Sequence, residues 1–208
     1  MSDHDRLEAE VRQRCVSGDI TGAVEATIRG LGPEVMGFLG AQHRREDEAD
    51  EVFALWAERV WKGLAGFTWN SSLRTWVYVV ARNTSRNYLR DHRPREKREV
   101  PLDAGGVSQA VAAVRTATRP YLRTESKDRL AALCATLPED DRTLLVLRVD
   151  RQLAWGDIAR VLLDEESPTD DALKRESQRL RKRFQLVKEK VYELGREAGL
   201  VDPDRERP

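Results

Sequence analysis

Apolar residues recur every three or four positions along most of this chain, the spacing that places them on one face of an α-helix. The two clearest runs contain these apolar positions: Ala49, Phe53, Trp56, Val60 and Leu64 in the first, and Leu73, Trp76, Val77, Val80, Ala81 and Tyr88 in the second. No segment alternates apolar and polar residues for long enough to predict a β-strand, and no internal repeat is visible. The pattern predicts an all-α protein.

Glycine, proline and serine residues divide the N-terminal half into predicted helices. Residues 1–19 form a polar lead-in, helical or a loose tail, and a helix follows from Asp19. That helix is expected to be interrupted by three residues that disfavour helices, Gly30, Gly32 and Pro33. A serine-containing turn then supplies an N-cap for the helix that begins at Leu73. Residues 20–93 are therefore expected to form one small helical domain.

The helical pattern is lost in the middle of the chain and returns afterwards. Residues 94–126 have mixed charge, a Gly105-Gly106 pair and three prolines, and they predict a flexible linker with at most a transient helix. Periodic leucines resume in residues 127–199, which are expected to form a second small helical domain, and residues 200–208 form a tail. The sequence thus predicts two small helical domains joined by a linker.

Composition and charge describe a well-solvated chain with separate charged regions. Of its 208 residues, 40% are hydrophobic and 35% are charged, and the 36 basic residues equal the 36 acidic residues in number. This balance excludes a uniformly basic DNA-coating protein. Acidic residues nevertheless concentrate at 46–51 and basic residues at 82–98 and 174–190, so different faces are expected to meet different partners.

Several functional classes find no support in the sequence. Cys15 and Cys134 are far apart and form no CxxC motif, so neither a disulfide framework nor a metal site is expected. No phosphate-binding loop, HExxH motif or nucleophile and base pair is present, so we expect no enzyme and no cofactor. No apolar stretch approaches the roughly 18 residues of a membrane span, and a cytoplasmic location without membrane insertion is expected.

Two helices near the C-terminus resemble a helix-turn-helix. The first runs from Trp155 to Leu162, where the small Ala159 allows close packing, and the second begins near Asp170. The second helix suits the major groove of DNA because it presents these polar and basic residues: Lys174, Arg175, Gln178, Arg179, Arg181 and Lys182. The alternative is the solvated basic face of an ordinary bundle helix.

A second basic helix follows an aromatic turn. Arg82, Arg86 and Arg90 recur at i, i+4 steps, with Asn83 and Asn87 beside them. The aromatic and polar groups near the start of this helix are able to stack on and hydrogen-bond to an unpaired base: Trp69, Asn70, Ser71, Ser72 and Trp76. The alternative for Trp76 is a place in the core, which its position on the apolar stripe favours.

These segments together resemble a known family. The run from Ser71 to Asn83, followed by Asn87-Tyr88-Leu89-Arg90, resembles the second conserved domain of sigma factors of the extracytoplasmic-function (ECF) group. Leu137-Pro138, the 144–148 stretch, Ile158-Ala159 and the 174–183 stretch resemble the fourth domain in the same order. The two matches cover about residues 20–93 and 127–195.

The resemblance implies a protein that binds core RNA polymerase and promoter DNA to start transcription. The downstream promoter element would be opened by residues 69–72 and 76, together with Arg82, Asn83, Arg86, Asn87 and Arg90. The upstream element would be read by the basic helix that begins near Asp170. Factors of this group are often held by an anti-sigma protein, which is a further expected partner.

An acidic segment lies where such factors bind the polymerase. The resemblance places polymerase contacts at the following residues: Asp47, Glu48, Asp50, Glu51 and Trp56. Complementary charge would orient the two proteins. The alternative is that these acids only complement the dipole of a helix N-terminus.

The chain also departs from the family pattern at two places. Ala54-Leu55 stand where the family usually has Gln-Glu, and residues 163–171 lengthen the turn of the predicted helix-turn-helix with acidic residues. Two other interpretations therefore stay open: a helix-turn-helix regulator that does not join the polymerase, and a sigma-derived adaptor that has lost promoter recognition. The matching N-terminal half favours the sigma factor over a lone helix-turn-helix protein.

Overall fold

The computed structural model describes residues 2–43, 45–91, 105–118, 132, 134–163, 165 and 168–200. These residues contain helices and no β-strand, so the predicted all-α fold is confirmed over this part of the chain. The chain divides into two compact units, Met1–Leu122 and Arg123–Pro208. No helix among the described residues combines the length and apolar character needed to cross a bilayer.

The first unit contains five helices, within the residues described there: α1 (Asp3–Val16), α2 (Ile20–Gln42), α3 (Glu46–Gly63), α4 (Leu73–Arg90) and α5 (Gly105–Thr118). A short 3-10 turn, Leu64–Gly66, follows α3. The core lies between α2, α3 and α4, where Phe38, Phe53 and Tyr78 have no exposed surface. Phe38 and Tyr78 pack edge to face, with ring centroids 5.6 Å apart.

The predicted interruption at Gly30, Gly32 and Pro33 is wrong, because α2 is continuous from Ile20 to Gln42. The two glycines lie where other helices come close to α2. A Cβ on Gly32 would lie 3.1 Å from Val114 of α5, and one on Gly30 would collide with the Leu7 side chain of α1. Helix packing therefore explains these glycines better than a break in the helix does.

Helix α5 lies inside the segment 94–126, which the sequence predicts as a linker. Val107 and Ala110 have no exposed surface, and Arg115 forms an ion pair with Asp50 of α3 at 3.1 Å. The prediction of at most a transient helix is therefore wrong for residues 105–118, which pack on α2 and α3. The remaining parts of the predicted linker, 94–104 and 119–126, lie outside the described residues.

The second unit, where the structure describes it, contains α6 (Glu139–Leu145), a π-helical turn (Val146–Asp150), α7 (Trp155–Leu162) and α8 (Asp170–Glu197). Its core is made by Leu144, Leu147, Ile158 and Leu180, which are at most 1% exposed. Ala159 is fully buried, which agrees with its predicted role in close helix packing. The predicted tail beyond residue 200 lies outside the described residues.

Candidate nucleic-acid and polymerase interfaces

Three aromatic rings form a continuous stack before and at the start of α4. The ring of Phe67 lies 4.7 Å from that of Trp69 and 5.0 Å from that of Trp76, measured between centroids. We call Phe67, Trp69 and Trp76 the aromatic stack. All three side chains are partly exposed, so the aromatic stack reaches the surface of the domain.

The backbone of the loop that carries this stack has an unusual conformation. Trp69 has a φ of 59°, in the left-handed region that residues with a Cβ rarely adopt. The guanidinium group of Arg12 from α1 lies 5.1 Å above its indole ring. The turn ends at Ser72, whose hydroxyl accepts a hydrogen bond from the Thr75 amide at 3.1 Å, so the predicted N-cap of α4 is confirmed.

One face of α4 carries the polar groups that continue from the aromatic stack. Trp76, Asn83, Asn87 and Arg90 are separated by seven, four and three residues, which places them on one side of a helix with 3.6 residues per turn. Asn83 and Arg90 are exposed, and Asn87 and Trp76 are partly exposed. The alternative of a core position for Trp76 does not hold, because its side chain is partly exposed and its ring stacks on Phe67.

Arg82 does not share this exposed face. Arg82 is only 3% exposed, whereas Arg86 is partly exposed and Arg90 is exposed. The prediction that Arg82 lies with Arg86 and Arg90 on an accessible basic surface is therefore wrong. In a helix, a residue four positions before Arg86 is rotated by about 40° from it, which is enough to turn it toward the core.

Of the other residues predicted to meet an unpaired base, Asn70 and Ser72 are exposed and Ser71 is partly exposed. The Ser72 hydroxyl is already engaged at the N-terminus of α4, where it also lies 2.8 Å from the Thr75 hydroxyl. The Ser71 hydroxyl donates to the Ser72 carbonyl at 3.3 Å, so Asn70 is the most accessible of these three polar side chains.

A carboxylate network fixes α4 against α1 and α2. Glu34 accepts hydrogen bonds from Arg74 at 2.8 and 2.9 Å and from the Tyr78 hydroxyl at 3.0 Å, and its second oxygen lies 2.8 Å from His4 Nε2. Burial alone would raise the pKa of Glu34, but the bonds from His4, Arg74 and Tyr78 lower it below its usual value. Glu34 is therefore held ionised at the junction of three helices.

The acidic start of α3 is only partly free for a partner protein. Asp47 is exposed but forms a two-pronged ion pair with Arg45, at 2.6 and 3.0 Å. Glu48 is partly exposed, and one of its oxygens lies 3.9 Å from Nδ1 of the buried His43. Asp47 and Glu48 are thus at the surface, as the polymerase prediction requires.

The other predicted polymerase residues already have partners inside the domain. Asp50 is 8% exposed and pairs with Arg115 of α5. Glu51 accepts a hydrogen bond from the Tyr88 hydroxyl at 2.9 Å, and burial together with this carboxylate raises the pKa of Tyr88 to about 12. Trp56 has no exposed surface and donates from Nε1 to the Val77 carbonyl at 3.1 Å, so it is a core residue and not a surface contact.

In the second unit, α7 and α8 are joined through Trp155 and Ser177. The Ser177 hydroxyl donates to the Trp155 carbonyl at 3.1 Å, and the Trp155 ring packs edge to face on Phe184 at 5.6 Å. The guanidinium groups of Arg148 and Arg181 lie 4.8 and 5.9 Å from the centre of the same ring. A groove between the start of α7 and α8 is lined by basic, polar and apolar side chains: Arg148, Trp155, Lys174, Ser177, Gln178 and Arg181.

The six residues predicted to read DNA with α8 are all exposed: Lys174, Arg175, Gln178, Arg179, Arg181 and Lys182. They occupy about half of the helix circumference at 100° per residue. Arg179 is held by Glu176 through two hydrogen bonds of 2.8 Å, and this carboxylate raises the pKa of Arg179 further above its ordinary value. Arg179 must therefore exchange or share this partner to contact DNA.

The acidic segment 163–171 is partly helical. Asp170 and Asp171 belong to the first turn of α8, where carboxylates complement the helix dipole, and Thr169 caps the helix by accepting from the Ala172 amide at 3.2 Å. Asp171 also lies 3.7 Å from Lys174. Two of the predicted turn acids, Asp164 and Glu166, lie outside the described residues.

Sequence reasoning missed two residues of α1 that reach this site. Glu8 accepts a hydrogen bond from the Leu73 amide at 2.7 Å, and Arg12 covers Trp69. Both belong to the segment that the sequence identifies only as a polar lead-in. No local pattern predicts a contact between residues separated by more than 50 positions.

Comparison with known proteins identifies the first unit. The family model for sigma-70 region 2 matches residues 27–95, which include α3, α4 and the aromatic stack. The expected resemblance of this part of the chain is confirmed.

Three curated proteins illustrate the similarity. The RNA polymerase sigma-H factor of Pseudomonas aeruginosa is 30% identical over 132 residues, which cover 62% of this chain and 66% of that protein. The RNA polymerase sigma factor YlaC of Bacillus subtilis is 25% identical over 171 residues, covering 80% of this chain and 95% of that protein. The ECF RNA polymerase sigma-E factor of Haemophilus influenzae is 29% identical over 133 residues, covering 62% and 70%. The alignments thus span about two thirds or more of each of these proteins.

Proposed function

Because this chain belongs to the ECF group of the sigma-70 family of RNA polymerase sigma factors, we propose that it binds core RNA polymerase and opens promoters through α4. The observation that carries the proposal is the shared surface of the aromatic stack and of Asn83, Asn87 and Arg90. This surface offers stacking, amide and cationic groups in one line along α4.

The chemistry of that surface suits an unpaired strand. A base that leaves the duplex stacks on an exposed aromatic ring, which is worth about 1 to 3 kcal/mol per base. The side-chain amides of Asn83 and Asn87 donate to and accept from base edges, and Arg86 and Arg90 neutralise phosphates. Promoter opening then draws on binding energy and requires no catalytic residue of this chain.

The polymerase is bound through the start of α3. Asp47 and Glu48 are the accessible carboxylates there, and they present negative charge next to the exposed end of the helix. Because Asp47 is paired with Arg45, a basic residue of the polymerase must share this carboxylate or displace Arg45. Charge complementarity of this kind sets orientation and association rate more than affinity.

The upstream promoter element is read by α8. Lys174, Arg175 and Gln178 lie in the first turns of this helix, the part that meets base edges in helix-turn-helix proteins. Arg181 and Lys182 lie further along and are placed to neutralise phosphates. Binding through these residues weakens as salt rises, because each neutralised phosphate releases counterions.

The test is run-off transcription with purified core polymerase and a library of genomic DNA. We expect initiation at specific sites only when this protein is added. No protein-dependent initiation would exclude the sigma-factor function, and the recovered sites supply promoters for the variants below.

Variants separate the two DNA-binding surfaces. Asn83→Ala is expected to reduce promoter opening more than polymerase binding, with Gln13→Ala, an exposed substitution on α1, as the control. Arg179→Glu is expected chiefly to weaken duplex binding, with Lys190→Glu as a control of equal charge change near the far end of α8. An equal loss of polymerase binding in Asn83→Ala and Arg179→Glu would contradict this division.

One observation favours a sigma-derived adaptor as the second candidate. Glu176 occupies the Arg179 guanidinium, and Asp170 and Asp171 add negative charge at the end of α8 that is assigned to DNA. An adaptor would bind core polymerase in a pull-down assay yet start no promoter-dependent transcription. A helix-turn-helix regulator would bind duplex DNA without core polymerase. An anti-sigma protein is a further proposed partner, and we expect it to compete with core polymerase.

A further inference from the structure

We infer that α1 positions the base-binding loop, with Glu8 and Arg12 as the positioning residues. The inference rests on the proposed function of the aromatic stack and extends it to a helix that lies outside the matched region 27–95. It assigns α1 a role in holding Trp69 and the first turn of α4 in the geometry that accepts an unpaired base.

The first contact is the bond from the Leu73 amide to a Glu8 carboxylate oxygen, at 2.7 Å. Leu73 is the first residue of α4, so its amide has no acceptor within the helix. Ser72 caps the amide of Thr75, and Glu8 supplies the separate acceptor that Leu73 needs. A carboxylate at this end also complements the positive pole of the α4 dipole.

The second contact supports the residue with the strained backbone. Trp69 adopts a φ of 59°, and such a conformation persists only where the surroundings hold it. The Arg12 guanidinium lies 5.1 Å over the Trp69 ring, and Phe67 lies 4.7 Å from it. Arg12 of α1 thus holds the loop indole by a cation–π contact.

The two contacts act on the two ends of the same short loop. Glu8 and Arg12 are four residues apart on α1 and therefore lie on the same side of that helix. Arg12 holds the Trp69 indole near the start of the loop, and Glu8 holds the Leu73 amide at its end. Because α1 is itself anchored by buried Val11 and by the His4 contact to Glu34, the loop is tied to the body of the domain.

A direct test of the Glu8 contact is hydrogen exchange at the Leu73 amide, followed by NMR. We expect Glu8→Ala to increase the exchange rate about tenfold. Glu8→Gln keeps an oxygen acceptor and should give an intermediate rate. Glu10→Ala is the matched control, because Glu10 lies on the same helix but pairs with Arg14, and it should leave the rate unchanged. Unchanged exchange in Glu8→Ala would overturn the assignment.

The functional test measures binding of polymerase holoenzyme to the non-template single strand of a promoter recovered by run-off transcription. Glu8→Ala and Arg12→Ala are each expected to weaken this binding about five- to tenfold, with unchanged assembly on core polymerase. Arg12→Lys retains the charge but stacks less well on the indole, so its affinity for the strand should lie between those of Arg12→Ala and the unaltered protein. Arg6→Ala, which removes an exposed arginine elsewhere on α1, is the control.

The outcomes separate this inference from the proposed function. If the unaltered protein binds neither the single strand nor core polymerase, the proposed function fails. If the unaltered protein binds both, and Glu8→Ala and Arg12→Ala bind the strand as well as it does, the positioning role is wrong. If the two variants lose core binding as much as strand binding, their effect is on folding, and the positioning role is again wrong.

Discussion

The close approach of α5 to α2 predicts a measurable effect of Gly32→Ala. A Cβ at position 32 would lie 3.1 and 3.3 Å from the two methyl carbons of Val114 and 3.4 Å from Phe53 Cζ. Ordinary carbon contacts are about 3.5 to 4.0 Å, so α5 must shift by a few tenths of an ångström. Overpacking typically costs about 1 to 3 kcal/mol, while replacing a helical glycine by alanine gains about 1 kcal/mol. We expect a net destabilisation of α5 docking of about 1 kcal/mol.

A second substitution shows whether the contact with Val114 is the cause. Val114→Ala removes two methyl-sized groups from a buried site, at about 0.8 kcal/mol each, so it should cost about 1.5 kcal/mol by itself. In the double variant the new methyl group at position 32 fills part of the vacated space. The combined cost should therefore be smaller than the sum of the two by about 1 kcal/mol or more.

Native-state hydrogen exchange of the α5 amides gives these free energies locally, without requiring the whole chain to unfold in one step. Gly156→Ala is the control, since a Cβ there meets no atom within 4 Å, and it should stabilise α7 by up to about 1 kcal/mol. The packing explanation is refuted if Gly32→Ala stabilises α5 as Gly156→Ala stabilises α7. It is also refuted if the free-energy costs of Gly32→Ala and Val114→Ala are additive in the double variant.

Three further predictions concern α4 and its neighbours. Glu34→Gln should lower the free energy of unfolding at neutral pH. The difference from the unaltered protein should shrink as pH falls below about 4.5, because a carboxyl group with a lowered pKa stabilises the fold only while it is ionised. Urea unfolding from pH 7 to 3 tests this. Trp56→Phe removes the hydrogen bond from the indole to the Val77 carbonyl and leaves part of a fully buried site unfilled, so it should cost about 1 to 3 kcal/mol in unfolding, while the folded fraction still binds core polymerase. Tyr88 should titrate with a pKa of about 12 when followed by ultraviolet absorbance, and Glu51→Gln should move this pKa back toward 10. The stability that depends on the protonated Tyr88 hydroxyl should be lost between about pH 10 and 12.

The helices α3 and α4 could be predicted closely because their signals are local. The apolar run from Ala49 to Leu64 predicts the helix observed as α3, and a serine N-cap places the start of α4 correctly at Leu73. α5 also carries a helical signal that its glycine- and proline-containing flanks obscured. Val107, Ala110, Val111 and Val114 follow the i, i+3, i+4, i+7 pattern and are all buried.

The features that could not be predicted depend on contacts between distant residues. Glycine disfavours a helix, so Gly32 suggests a break in α2. Its place in the helix is explained by the Val114 side chain, which leaves little room for a Cβ there. Trp76 and Arg82 both lie at the edge of the buried face of α4. The spacing of apolar residues alone does not decide which side chain at such an edge is buried. Glu8 approaches Leu73 only after α1 packs on the domain, so no short motif could have predicted their hydrogen bond.

The pairing of Trp155 with two arginines gives the second domain its own optical signal. The chain has five tryptophans, and Trp155 alone lies in the unit Arg123–Pro208. Its emission is sensitive to the nearby cations of Arg148 and Arg181, and Arg181 belongs to the surface assigned to phosphate. If α8 contacts phosphate as proposed, binding is expected to draw Arg181 away from this indole and to change its fluorescence, and subtracting the spectrum of a Trp155→Phe variant isolates that change. Upstream DNA binding can therefore be followed in the unlabelled protein, separately from events at the four tryptophans of the first domain.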